Sequence, residues 1–180
     1  DGLIDCLDTD DCTAADAWQC GAGNFSITLN SSSTLDQGSL YDSGGPDAGY
    51  QSGETGSFTM SPADADFVTI DVGEVHTYYC SAGLTFYEGT DATGTLIGTY
   101  QGCDNYYGSL TSPFSSSTSS VHVVWDAQYN YSSGSLRGFD LTWDGEIAQA
   151  GCNDPFASNY DVSANTACTD DDSNGYPDCC

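Results

Sequence analysis

Side-chain oxygens recur at metal-ligating intervals in the stretch Asp170-Asp171-Asp172-Ser173-Asn174-Gly175-Tyr176-Pro177-Asp178. Asp170, Asp172 and Asn174 match the first, third and fifth ligands of a calcium loop. Gly175 matches the glycine that permits its sharp turn, and Asp178 the ninth position. Hard carboxylate and amide oxygens suit Ca2+ better than a softer metal. The twelfth-position carboxylate would fall on the residue after Cys180. A complementary fragment opens the sequence: Asp1-Gly2-Leu3-Ile4-Asp5-Cys6-Leu7-Asp8 sets Asp1, Asp5 and Asp8 at the fifth, ninth and twelfth positions of a loop that lacks its first and third ligands. Written tail before head, DDDSNGYPDCC-DGLIDCLDTDDC places Asp1 on the vacant twelfth position. Two arrangements satisfy this pattern. In one, the tail of a subunit meets the head of the next and shares Ca2+, a heterologous contact that gives an open filament when it does not close. In the other, both loops are local to a single chain, whose ends commonly lie near each other.

Composition sets the context for these loops. The 180 residues include 27 Asp and Glu against a single basic residue, Arg137, for a formal net charge of −26. Phosphate recognition needs a basic footprint, so nucleic acid is excluded as a partner, and anionic membrane surfaces with it. Such self-repulsion opposes compaction unless cations relieve it. With 12% aromatic residues and 21 glycines the chain is a folded protein rather than a disordered acidic tail. Nine cysteines point to an oxidising, extracellular setting, and the odd count leaves at least one free or bonded to another chain. Cys6, Cys12 and Cys20 lack C-x-x-C spacing and His76 and His122 are far apart in sequence, so disulfides are favoured over zinc. Adjacent Cys179 and Cys180 are too close for relaxed disulfide geometry with each other. No apolar run of about 18 residues is present. With Asp1 preceded by neither methionine nor leader, the expectation is a mature, secreted protein without membrane insertion.

The elements that must position these residues divide into three textures. Residues 1–20 are acidic and cysteine-rich, residues 21–148 are rich in Ser, Thr, Gly and Tyr with alternating apolar positions, and residues 149–180 are again acidic and cysteine-rich. In the middle region NFSITL aligns Phe25, Ile27 and Leu29, and FVTIDV is a β-branched run around Val68, Ile70 and Val72. LTFYEG, TLIGTY, SVHVVWD and GFDLTW follow, with Val121, Val123 and Trp125 expected inward and His122 outward, and with Phe139, Leu141 and Trp143 alternating likewise. Short strands separated by Gly, Asp and Ser turns predict an all-β antiparallel sandwich. Helical turns are expected at TAADAW and DPFASNY, a loop at His76, and a loop or edge over residues 111–120. The triplets NFS, NSS and NYS make Asn24, Asn30 and Asn130 candidate glycosylation sites.

Three family resemblances add to this reading. SLYDSGGPDAGYQSGETGSFTM, LTFYEGTDATGTLIGTYQGC and WDAQYNYSSGSLRGFDLTW, spanning about residues 38–145, resemble a CUB domain. That resemblance implies an extracellular jelly-roll β-sandwich used for binding and assembly, with Cys80 paired to Cys103. It also implies a weaker calcium site at Glu74 and Asp126, whose third family carboxylate is replaced by Ala82. GCNDPFASNYDVSANTAC resembles the G-C-x-D-P-x-A-x-N-Y repeat of Bacteroidetes-type surface proteins, which implies a turn closed by Cys152 and Cys168. The two acidic ends resemble cut thrombospondin type 3 repeats. The partners of Cys6, Cys12, Cys20, Cys179 and Cys180 stay unassigned.

Catalysis has little to work with. There is no lysine and no Gly-x-Ser-x-Gly elbow, and with so many acids any catalytic carboxylate pair would be a free choice. The expectation is a non-enzymatic structural subunit of an extracellular fibre or cell-surface appendage, joined head-to-tail as a homo-polymer. The alternative is a monomeric, secreted carbohydrate-binding or adhesin module that takes surface glycans on Tyr106-Tyr107 or Tyr129-Asn130-Tyr131.

Overall fold

The computed structural model describes residues 23–27, 31–77, 82–103, 105–127 and 138–151, together with 164 and 166–167. Along the chain the strands are β1 (Gly23–Ser26), β2 (Ser31–Ser33), β3 (Gln37–Tyr41), β4 (Thr55–Met60), β5 (Phe67–His76), β6 (Gly83–Glu88) and β7 (Leu96–Cys103). They continue with β8 (Asn105–Gly108), β9 (Phe114–Ser115), β10 (Val121–Asp126), β11 (Gly138–Glu146), β12 (Ala150–Gly151) and β13 (Thr166–Ala167). The expected β-sandwich is present. A five-stranded sheet runs β1-β3-β11-β5-β9 and a six-stranded sheet β2-β4-β10-β6-β7-β8. The chain divides into two compact units, Asp1–Glu146 and Ile147–Cys180. In the second unit β12 and β13 form a two-stranded parallel pair.

Pairing is antiparallel through the middle of both sheets. One margin of each sheet differs from the expectation, because β1 runs parallel to β3 and β2 parallel to β4, while β9 and β8 at the opposite margins pair antiparallel. The cause is the path of the chain, which crosses from one sheet to the other and back at its first turns. β3 therefore returns beside β1, and β4 beside β2, in the same direction.

The alternation in the sequence sets the core. Val68, Ile70, Val121, Val123 and Trp125 are fully buried, and Phe139, Leu141 and Trp143 nearly so, while His122 faces outward and is half-buried. Phe25, Phe58 and Trp143 meet between the sheets with ring centroids 5.2–5.6 Å apart. Trp143 packs against Gly38, where a β-carbon would come within 2.2 Å of its indole ring. Burying side chains of this size is worth about 1.5–3 kcal/mol each, which makes these two inner faces the main source of stability.

Strict period two fails at one place in β5. Phe139 pairs with Val75 and Asp140 with Glu74, but Leu141 pairs with Val72, so Gly73 is an extra residue in the strand. A bulge of this kind shifts side-chain parity. Without it Glu74 would continue the inward series of Val68, Ile70 and Val72. With it Glu74 turns outward beside Asp140 and Tyr41, and Val75 packs on the core instead. The same shift explains a correction: His76, expected in a loop, is the last residue of β5 and pairs with Gly138.

The 111–120 segment is an edge, as its composition predicts. β9 pairs with β5 only at Thr69 and Ile70. Beyond those two pairs, serine hydroxyls take over from strand partners. Ser116 Oγ accepts the Val68 N–H at 2.8 Å, and Ser112 Oγ accepts the Val72 N–H at 2.6 Å.

A candidate functional site at the carboxylate-bearing end of the sandwich

One end of the sandwich is where β3, β5 and β10 finish and β4, β6 and β11 begin. Acidic residues gather there. Asp42 follows β3, Glu54 precedes β4, Glu74 lies near the end of β5, Asp126 closes β10 and Asp140 lies near the start of β11. A small pocket of about 160 Å³ opens among Tyr41, Pro46, Glu74, Phe139 and Asp140.

Asp42 is fully buried. Its Oδ1 accepts the Gly44 N–H at 2.7 Å and its Oδ2 the Phe139 N–H at 3.2 Å, so one carboxylate ties the turn after β3 to the start of β11. Gly138 has φ +75°, and a β-carbon there would collide with the Asp42 carboxylate. Glycine meets both demands at once. Burial pushes the Asp42 carboxyl up from 3.8 to about 6; the two backbone N–H groups pull against that, and the nearby Glu54 charge adds to it.

Glu54 pins the loop between β3 and β4. Its Oε1 accepts the Ser43 N–H and the Trp125 indole N–H, each at 3.0 Å, while its Oε2 accepts the Gln51 N–H at 2.9 Å and the Ser43 hydroxyl. Trp125 is wedged between Tyr50, edge-on at 5.7 Å, and Phe139 at 4.8 Å. Thr77 joins the two sheets at this same end, donating both its N–H, at 2.6 Å, and its hydroxyl to the Gly102 carbonyl, with the Ala82 carbonyl 3.4 Å from the hydroxyl.

Of the residues singled out in the sequence, Glu74 and Asp126 come to this one end but on different sheets. Glu74 is half-buried opposite Asp140, and Asp126 is exposed opposite Thr55 and Gly83. Cys103 closes β7, Asn24 lies on β1, and Tyr106 and Tyr107 lie on β8. Asp1, Asp5, Asp8, Asp170, Asp172, Asn174 and Asp178 lie outside the described residues, as do Cys80, Cys152, Cys168, Asn30 and Asn130 and the two expected helical turns. Asp42 and Glu54 were not singled out. A signal for Asp42 exists, because Asp ahead of Ser-Gly-Gly-Pro is a turn in which the carboxylate caps its own backbone two residues on. Glu54 carries no comparable motif: Gln51 is near in sequence, but Ser43 and Trp125 are 11 and 71 residues away.

No family model matches the chain, and no curated protein matches it. Solved structures do. The chain is similar to the CUB1-EGF-CUB2 domains of rat MASP-1, with a TM-score of 0.51 and 12% identity over 63% of this chain and 41% of that one. The sandwich is CUB-like. It is also similar to the MASP-1 CUB2 domain bound to Ca2+, with a TM-score of 0.49 and 14% identity over 66% of this chain and 100% of that one. At such identities the likeness is one of fold. Ala82, the residue that stands where the sequence resemblance expected a further carboxylate, is fully buried. Among the described residues no three His, Cys, Asp or Glu side chains come together as a metal-holding group. Asp42 and Glu54 give their oxygens to backbone, hydroxyl and indole donors, and what this end does chemically is hold a loop rigid.

Proposed function

We propose that this chain is a structural subunit of an extracellular fibre or cell-surface appendage, with the CUB-like sandwich as rigid body and the acidic, cysteine-rich ends as connectors. The observation that carries the reading is the complementarity of two acidic stretches. Asp170, Asp172, Asn174 and Asp178 match the first, third, fifth and ninth ligands of a calcium loop, and Asp1, Asp5 and Asp8 match the fifth, ninth and twelfth. A net charge of −26 supports the same reading, since copies of such a chain repel each other unless cations join them. Disulfides Cys80–Cys103 and Cys152–Cys168 would brace each subunit. The odd cysteine, from among Cys6, Cys12, Cys20, Cys179 and Cys180, would be available to a neighbour, and Asn24, Asn30 and Asn130 to glycans.

Negative-stain microscopy of the protein in Ca2+ and then in excess EDTA tests this. The expected result is filaments that fragment on chelation, together with a lower melting temperature. The paired substitution Asp170→Asn, Asp172→Asn should have the same effect without chelator. A chain that stays monomeric in Ca2+, with a melting temperature indifferent to EDTA, would overturn the reading.

A further inference from the structure

The outer face of the six-stranded sheet carries a groove of about 530 Å³ in which eight hydroxyl side chains are joined by a single carboxylate, Asp91, and a single imidazole, His122. β2 and residue 34 form one wall, the turn at Thr90 and Asp91 the other, and β4 and β10 the floor. These segments are far apart in sequence and are brought together by register: Ser32 lies opposite Thr59 and Thr59 opposite His122.

The hydrogen bonds of the floor define what the groove offers. Thr59 Oγ1 donates to the Thr90 carbonyl at 3.2 Å. Its one proton being used there, the 2.8 Å contact with His122 Nδ1 is an imidazole N–H donating to the hydroxyl oxygen. Nδ1 therefore carries the ring proton, and Nε2 is left as an acceptor with no hydrogen-bond partner among the described residues. Burial holds the His122 pKa below the usual histidine value, against the pull of Asp91, so the ring is neutral at pH 7. Asp91 Oδ1 already accepts both the N–H and the hydroxyl of Thr93.

Three classes of ligand can be weighed against this lining. An anion would have to approach a chain of net charge −26 with no cationic side chain in the groove. A divalent cation would find one carboxylate, already engaged, where it needs several oxygens of high charge density. A neutral, polyhydroxylated ligand finds donors and acceptors in equal supply, an imidazole acceptor, and threonine methyl groups for its C–H faces. We propose that this groove is a binding site for a neutral saccharide, with Thr59 and His122 as its floor and Ser32 as its rim. The site is independent of the fibre reading, because it lies wholly within one sandwich and calls on no metal.

Saturation-transfer NMR on the full chain in EDTA tests it, using maltose, cellobiose, lactose and mannobiose as neutral probes and galacturonic acid as an anionic contrast. Transfer to at least one neutral disaccharide is expected, with none to galacturonic acid. Ser32→Trp, which adds bulk at an exposed rim position, and His122→Phe should each reduce the signal about fivefold or more. Thr142→Val, on the outer face of the other sheet, should leave it intact. Silence from all four neutral sugars, preference for galacturonic acid, or a signal unchanged in Ser32→Trp would each overturn the proposal. Because Ser32→Trp disturbs no buried residue, it remains informative if His122→Phe fails to fold.

Discussion

The outer faces of the two sheets are built from the same strand chemistry yet carry opposite surfaces. On the five-stranded sheet, Asp71, Asp140 and Asp144 are exposed on adjacent strands, with Glu74 turned out beside them. On the six-stranded sheet, Ser57, Thr59, Thr85, Tyr87, His122 and Val124 cover the middle, and the acids border it, with Asp91 in the turn after β6 and Asp126 at the end of β10. In a chain of net charge −26 this is uneven use of charge. The lesson is that repulsion can be concentrated on a face that stays solvated, which leaves another face neutral enough to meet a ligand.

The most severe way to break this comparison is to carry a charge from the acidic outer face to the inner face of the same strand. Val72→Asp would bury an unpaired carboxylate on β5, beside the Asp71 and Glu74 that the strand displays outward. Burying an unpaired carboxylate costs several kcal/mol. The expected outcome is a chain that fails to fold, or a urea midpoint lowered by the equivalent of about 4 kcal/mol or more. Near-normal stability would show that the inner face of β5 tolerates the charge its outer face carries.

A smaller effect is expected at Asp42, the acid that is buried rather than displayed. Asp42→Ala leaves the Gly44 and Phe139 N–H groups without acceptors and should cost about 2–4 kcal/mol in urea unfolding. Its pH signature has a definite sign. The folded carboxyl titrates near 6 against an ordinary value of 3.8, so the folded state holds its proton longer than the unfolded state. The stability this contributes is fully present below the unfolded value and is lost as pH rises through the folded one. Between those two values the parent should lose on the order of 2–3 kcal/mol relative to Asp42→Asn, which has no such titration. Parallel pH profiles for the two proteins would refute the assignment.

The gentlest test sharpens the contrast between the faces themselves. Thr85→Asp places a charge in the neutral ladder and should cost about 0.5–1 kcal/mol, less at high salt. Asp144→Asn removes one from the acidic face and should raise the melting temperature slightly at low salt, with the gain vanishing as salt is added. Equal and opposite responses on the two sheets would remove the distinction.

Much of the sandwich is legible in the sequence because burial on one face imposes period two. Val121, Val123 and Trp125 declare β10, and Phe139, Leu141 and Trp143 declare β11. The sequence is silent where that rule is suspended. Gly73 breaks the alternation, so Gly-Glu-Val-His looks like a loop although it finishes β5. β2 is Ser-Ser-Ser, with no apolar residue to mark it, and its parallel pairing with β4 depends on the path of the chain between sheets. The carboxylate-bearing end was partly visible, through Glu74 and Asp126, but the bonds from Phe139 to Asp42 and from Trp125 to Glu54 join residues far apart in sequence and leave no local mark. The hydroxyl-lined groove has no motif at all, because its walls come from four separate segments.

The serines beside β5 have a consequence for crowding. A bare flank of a sheet offers its amides to any passing strand, which is how proteins zip into amyloid. Here the Val68 and Val72 amides are already answered by hydroxyls of the same chain. Copies held side by side at high density therefore find those two amides closed to strand addition.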